Sequence, residues 1–241
     1  MARFVMVHGA FAGAWVWEPL ARELEAAGHT VEMFDLPGSG SDSTPVAEVT
    51  LKAYADRLCE VLGDRPEPAV VVPNSMGGVV ATQAAAQCPE RVAAIVYVAA
   101  FLPQDVQSLI ALTQLPEGEG DAVQANMVVE GDPPVAILPN GAYREAVAAE
   151  CSDDVIEWAI ERRTPQPVLP FTEPVELAGF DYEGIALSYV LCKQDRAIPP
   201  ALQRRMLETA GITEVVELDT DHSPHLSRTV ELAQALDRLA P

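Results

Sequence analysis

Three side chains in this sequence are of the types that nucleophilic acyl chemistry needs: Ser75, Asp195 and His222. A serine hydroxyl is a weak nucleophile until a turn exposes it and a base takes its proton. Ser75 sits in Pro73-Asn74-Ser75-Met76-Gly77-Gly78, after the apolar run Ala69-Val70-Val71-Val72 and before a small-residue segment from Val79 to Ala86. A serine at a strand-to-helix turn, with glycine two residues on, is the pattern of a nucleophile elbow. His222, in Asp219-Thr220-Asp221-His222-Ser223, is the candidate base that removes the Ser75 proton and returns it to the leaving group. Asp195, in Lys193-Gln194-Asp195-Arg196, is the candidate partner that fixes the imidazole tautomer and stabilises the imidazolium. Asp219 and Asp221 compete for that role, but Asp221 adjoins the histidine and is badly placed to reach the ring edge it must face.

A tetrahedral oxyanion needs two hydrogen-bond donors. The backbone N–H of Met76, directly after the nucleophile, is one candidate. The second is expected from His8-Gly9-Ala10-Phe11, with Ala10 favoured over Phe11, because Gly9 lets that backbone approach closely. Phe11 and Trp158 are candidate walls of a substrate pocket, although burial of Trp158 for packing alone is an equal reading. His8 is read as bracing its loop, His225 as structural, and His29 as having no role. Pro73 departs from the usual glycine two residues before the serine. It lacks an N–H and has a fixed φ, so it is either tolerated where strand pairing ends or it alters the serine's approach.

These residues need a frame that gathers them. Arg3 to Val7, His29 to Phe34, Ala69 to Val72 and Val92 to Ala99 read as strands, separated by segments with apolar residues at helical spacing, such as Leu51, Tyr54, Ala55, Leu58 and Leu62. The pattern resumes with strands at Ala186 to Cys192 and Glu214 to Leu218, and a helix from Ala201 to Thr209. Ser223 reads as a cap before a helix that carries Leu226, Val230, Ala233 and Leu236 inward. Such alternation implies an α/β fold with a mainly parallel sheet of about six strands, covered on both faces. Catalytic groups in such sheets lie on loops beyond the strands' C-terminal ends, where Ser75, Asp195 and His222 all fall. Residues 1–102 and 185–241 form the expected core. Residues 103–184, dense in proline and without a clear β run, are expected to be an insertion of short helices and loops that acts as a lid. Within it, Ser152 is expected to cap a helix.

The chain has 241 residues, of which 49% are hydrophobic, so a large core can form. Its 15 basic and 36 acidic residues give a net charge of −21, which argues against nucleic acid and anionic lipid as partners. No apolar run reaches membrane-spanning length. The four cysteines show no CxxC pair and no zinc spacing, so no metal site and no disulfide framework is expected, and the compartment is expected to be reducing and cytoplasmic.

The segments Phe4-Val5-Met6-Val7-His8-Gly9-Ala10, Asn74-Ser75-Met76-Gly77-Gly78, Gln194-Asp195-Arg196-Ala197-Ile198-Pro199 and Asp221-His222-Ser223-Pro224 resemble the α/β-hydrolase superfamily over nearly the whole chain. The likeness is greatest to the small esterases that include plant methyl-ester esterases and hydroxynitrile lyases. Cys151-Ser152-Asp153-Asp154, Trp158 and Pro165-Gln166-Pro167 resemble the lid of bacterial members. The resemblance implies a cofactor-free serine hydrolase that cleaves a small, largely uncharged carboxylic ester under a mainly helical lid. The lyases carry a lysine after the catalytic histidine and a threonine in the oxyanion loop; Ser223 and Gly9 stand there in this chain, against cyanogenic activity. An alternative is non-hydrolytic chemistry, such as C–C cleavage or cyclisation, with His222 as base; a small-molecule receptor is a weaker one, since all three triad types are present.

Overall fold

The computed structural model describes residues 1–241. The chain begins with β1 (Arg3–Val7), α1 (Glu18–Ala26), β2 (Thr30–Met33), α2 (Leu51–Gly63), β3 (Ala69–Ser75), α3 (Gly77–Gln87) and β4 (Val92–Ala100). An insertion follows, with α4 (Leu109–Thr113), α5 (Ala122–Asn126), β5 (Val128–Glu130), β6 (Val135–Ile137), α6 (Asn140–Val147), α7 (Asp153–Ile160), β7 (Gln166–Pro167) and α8 (Leu169–Thr172). The main pattern then returns as β8 (Ala186–Cys192), α9 (Pro200–Ala210), β9 (Val215–Leu218), α10 (Pro224–Ser227) and α11 (Thr229–Leu239).

Six strands form one sheet in the order β2-β1-β3-β4-β8-β9, and every pair in it is parallel. Side chains alternate across the sheet. Val5, Val7, Val71, Ile95 and Tyr97 enter one core, whereas Phe4, Met6, Val70, Val72, Val96 and Val98 enter the other. Because both faces are covered, the strands read as continuous apolar runs rather than as alternating ones. The smaller core is closed by Leu20 and Leu24 of α1 and Leu232 and Leu236 of α11. The larger is closed by α2, α3 and α9, through Leu58, Val79 and Leu202 among others. No helix is long and apolar enough to cross a membrane.

The β3–α3 turn is set by sterics. Helix α3 is buried from Gly77 to Ala85, and its first turn runs against neighbouring backbone. A Cβ on Gly77 would lie 2.6 Å from the Val7 carbonyl oxygen, and one on Gly78 would overlap the Phe101 carbonyl oxygen. Only glycine permits those approaches. Pro73 stands opposite Val7 in the β1–β3 register, and the β3–β4 register shifts between Asn74 and Ser75. Strand pairing therefore becomes irregular as the chain reaches the serine. Asn74 adds its own tie, as its side-chain amide donates to the Val98 carbonyl at 3.0 Å.

The structure corrects four expectations. The insertion is not free of β structure: β5, β6 and β7 form a small antiparallel sheet, too short to show periodicity in sequence. Ser152 precedes α7 but makes no side-chain cap bond. The last helix is broken at Arg228 into α10 and α11, which leaves Val230 exposed rather than inward. Cys59 of α2 and Cys88, at the end of α3, form a disulfide, while Cys151 and Cys192 are free and buried. The two paired cysteines are 29 residues apart, so only the packing of α2 on α3 brings them together. The inference of a reducing compartment loses its premise.

The close backbone approach at α3 generates a stability prediction. Gly78→Ala is expected to lower the unfolding free energy by about 3 kcal/mol. Gly141→Ala, at a helical position with open space around it, should be neutral or stabilise by up to about 1 kcal/mol. Urea unfolding of the two variants checks both.

Candidate active site

Ser75 ends β3 with φ 55°, a left-handed conformation rare for a side chain other than glycine. The strain holds because the turn is enclosed: a Cβ on Gly9 would come within 2.8 Å of the Ser75 Cβ, so the loop after β1 lies directly against the serine. Ser75 is half-buried and lines a cavity together with His222, Ala10, Phe11 and Met76. Its hydroxyl makes no hydrogen bond to His222 in this structure. In unliganded sites such bonds are often long and tighten only with substrate.

Asp195 and His222 are joined. His222 Nδ1 lies 2.8 Å from Asp195 Oδ2, and the two residues are only 3% and 4% exposed. Asp195 is held by every remaining acceptor site it has. Its Oδ1 accepts from the backbone N–H groups of Ala197 and Ile198 at 2.8 and 2.9 Å, and its Oδ2 also accepts from Gln203 Nε2 at 3.0 Å. A carboxylate so fixed presents one oxygen to the ring in a set direction, and Nδ1 carries the proton that it accepts. Nε2 is thereby left as the basic nitrogen. Burial disfavours the imidazolium of His222, but the charge and hydrogen bond of Asp195, with the charges of Asp221 and Asp121, outweigh it and raise its pKa above the ordinary 6.5.

Asp219 and Asp221 do other work. Asp219 is at the surface and accepts from Gln194 at 3.0 Å. Asp221 is buried, and its Oδ2 accepts from the Glu150 N–H at 2.8 Å while Oδ1 accepts from the Ser227 hydroxyl at 2.8 Å. It ties the insertion to the His222 loop and does not touch the ring.

The loop after β1 is braced at two points. The Leu36 N–H donates to His8 Nε2 at 3.0 Å, so Nδ1 carries the proton and donates to the Gly9 carbonyl at 2.8 Å. Burial holds the His8 pKa below its usual value, keeping this brace neutral. Asp35 accepts from the Ala14 N–H at 2.7 Å. The N–H groups of Ala10, Phe11 and Met76 donate to no protein acceptor, and all three residues line the cavity. Phe11 has φ 64°, which turns the backbone of this loop sharply.

Trp158 is outside the cavity, contrary to its reading as a possible pocket wall. Its ring meets Trp15 edge-on at 5.0 Å and carries the Arg162 guanidinium at 5.1 Å. The reason is geometric: Ile156 and Ala159 occupy the buried side of α7, and Trp158 falls off that side. His29 is at the far side of the sheet, bonded to Ala2 and Asp237. His225 is 2% exposed and lines the cavity beside His222; burial first, then the His222 charge, push its pKa down to about 3, so it is neutral.

Three residues were missed in the sequence. Gln203 faces inward from α9 between Leu202 and Met206, and a lone amide on an apolar helix face was the available signal. Asn74 Nδ2 reaches the His222 carbonyl at 3.4 Å, coupling the elbow to the histidine loop. Asp121, in the insertion, lines the cavity; its one sequence signal is that of a helix cap before Ala122. Fourteen of the cavity's 23 lining residues are hydrophobic, so it suits a mainly apolar ligand. No group of three or more His, Cys, Asp or Glu side chains is placed to hold a metal ion.

Two outcomes follow from this geometry. Gln203→Leu is expected to cost about 2 kcal/mol of stability, because it strips partners from Asp195 and from the Cys192 and Ile198 backbone; thermal or urea unfolding measures it. Asp195→Asn is expected to lower the His222 pKa, by removing the main charge that favours the imidazolium, and NMR titration of the His222 ring reads the shift.

The profile of the Alpha/beta hydrolase family matches residues 4–235. Methylesterase 7 of Arabidopsis thaliana is 33% identical, over 99% of this chain and 96% of that one. Norfluorocurarine synthase 2 of a Strychnos species is 32% identical, over 97% and 93% of the two chains. Among solved structures, polyneuridine aldehyde esterase superposes with a TM-score of 0.88 at 26% identity, covering 100% of both chains. A parallel six-stranded sheet, a serine at the turn after its central strand β3 and a match over nearly the full length all agree, and the chain belongs to the alpha/beta hydrolase family.

Proposed function

We propose that this chain is a carboxylic-ester hydrolase that cleaves a small, largely uncharged ester through an acyl-enzyme on Ser75. The observation that carries the reading is the buried Asp195–His222 hydrogen bond of 2.8 Å, aimed into the cavity that the strained Ser75 also lines. The similarity to proteins named as methylesterases and as polyneuridine aldehyde esterase supports ester cleavage as the reaction class.

In this mechanism His222 Nε2 takes the Ser75 proton as Oγ attacks the ester carbonyl. The resulting oxyanion is held by the free N–H of Met76 and by that of Ala10, on the loop pressed against the serine by Gly9. Asp195 stabilises the imidazolium without being protonated. The imidazolium passes its proton to the leaving alkoxide, giving the alcohol and the acyl-enzyme. Water enters and loses a proton to His222 as it attacks the acyl carbon; the acyl carbon–Oγ bond then breaks, the imidazolium returns its proton to Ser75 Oγ, and the acid leaves and ionises to the carboxylate. The insertion acts as the lid, with the β4–β8 segment excluding bulk water from an apolar site.

A fluorophosphonate is expected to label the wild type at Ser75, and a p-nitrophenyl ester of a short acid is expected to give a burst. Ser75→Ala should lose turnover by about 10³-fold or more; unchanged turnover in that variant rejects the proposal. His222 works as a base only when neutral. Because its pKa is raised above 6.5, kcat/KM should fall as pH drops, with the inflection above pH 6.5 rather than below it. Asp195→Asn should move that inflection to lower pH while reducing the rate.

A further inference from the structure

One carboxyl in the cavity has no part in that mechanism. Asp121 is 8% exposed and lines the same cavity as Ser75 and His222. Its Oδ1 caps α5 by accepting from the Val123 and Gln124 N–H groups at 2.8 and 2.9 Å, while its Oδ2 has no protein partner. The adjoining Ala122 N–H donates to the Arg196 carbonyl at 2.8 Å. That bond seats this corner of the insertion on the loop that carries Asp195. Asp121 is thus a fixed side chain with one unengaged oxygen next to the reacting groups.

We infer that Asp121 sets the charge preference of the cavity: its carboxylate disfavours anionic ligands, so the carboxylate product is expelled while the neutral ester is unaffected. The inference rests on the esterase reading and names the substrate class more closely. The ester is neutral or carries an amine, and does not carry a second carboxylate. The physical basis is that cleavage turns a neutral ligand into an anion within a mainly apolar enclosure, where repulsion between like charges is far stronger than in water.

On the cavity wall Asp121 is opposed by one cation, Arg163, and the test below measures the Asp121 charge against that fixed background. His222 and Asp195 are the groups whose charges reach it. Burial pushes its pKa up, as does Asp195, against the pull of the two capping N–H groups and His222, and the result is about 6. It is therefore mainly ionised at neutral pH. In α6, which packs on α5, Arg144 pairs with Asp153 and Glu145 with Arg196, all exposed. Glu117 faces Arg205, and Glu119 is exposed. Arg163, the cation of the cavity wall, lies over the Tyr143 ring at 4.3 Å and donates through Nη2 to Leu138 and Asn140. Its Nε and Nη1 are enclosed without partners. His225 is neutral.

The test compares butyrate with butyramide as inhibitors of p-nitrophenyl butyrate hydrolysis, in wild type and Asp121→Asn. The Asn side-chain oxygen keeps both capping bonds, so an unchanged thermal midpoint is expected. At pH 8 the variant should bind butyrate roughly tenfold more tightly, with butyramide unchanged. At pH 5, where Asp121 is mainly protonated, the difference between the proteins should shrink. The acid limb of kcat/KM should also move to lower pH in the variant, since the Asp121 charge helps to raise the His222 pKa. Equal butyrate inhibition of the two proteins at pH 8, or an equal change for butyramide, overturns the inference. If no ester is turned over, the esterase reading fails separately. Calorimetric titration of butyrate and butyramide into Ser75→Ala, with and without Asp121→Asn, then decides the charge preference by itself: tighter butyrate binding only in the double variant supports it, and equal binding overturns it.

Discussion

The site depends on one steric constraint: three stretches of backbone converge on the turn between β3 and α3 more closely than side chains allow. Gly9 comes against Ser75, Gly77 against Val7, and Gly78 against Phe101. With no Cβ at those three points, the chain can drive Ser75 into φ 55° and hold it there. A left-handed serine in a loose loop would relax, and its hydroxyl would lose its direction. Here the surrounding packing over-determines the conformation. The same convergence presses the loop after β1 onto the serine, so the strain and the free N–H groups share one cause.

The second requirement is an imidazole with a set orientation, and the fold meets it by saturating Asp195. Four donors converge on that carboxylate, from the following loop, from Gln203 on α9 and from His222 itself. Asp221, though adjacent to His222 in sequence, is turned to the Glu150 N–H of the insertion. Two neighbouring carboxylates are thereby separated in function, one orienting the ring from 27 residues away and the other fastening the insertion to the ring's own loop. Ala122 on Arg196 makes a second such fastening. The insertion is tied at both of the loops that carry His222 and Asp195.

The cavity is a mainly hydrophobic enclosure in which few charges survive, and burial and neighbouring charges set the state of its histidines and of Asp121. His8 and His225 are kept neutral by burial. His222 alone among the buried histidines is shifted toward its charged form, because acidic groups surround it. Asp121 is shifted the other way. An imidazole shifted toward its charged form and a carboxyl shifted toward its neutral form meet at one cavity, the second brought there by α5, an element of the insertion and not of the sheet.

How much of this was legible depends on the range of the signal. Apolar runs broken by helical periodicity determined the parallel sheet, and the local run from Val70 to Gly78 determined the elbow, because both are written in consecutive residues. The order of Ser75, Asp195 and His222 on strand-end loops was likewise readable, since parallel strands put their C-terminal ends on one edge. Tertiary structure alone decided what Asp121, Gln203 and Asn74 touch, that Trp158 turns away from the cavity, that Cys59 and Cys88 meet, and that a small sheet forms inside the insertion. Those outcomes depend on contacts between segments far apart in the chain, each too short or too aperiodic to reveal its direction before the partner surface is present.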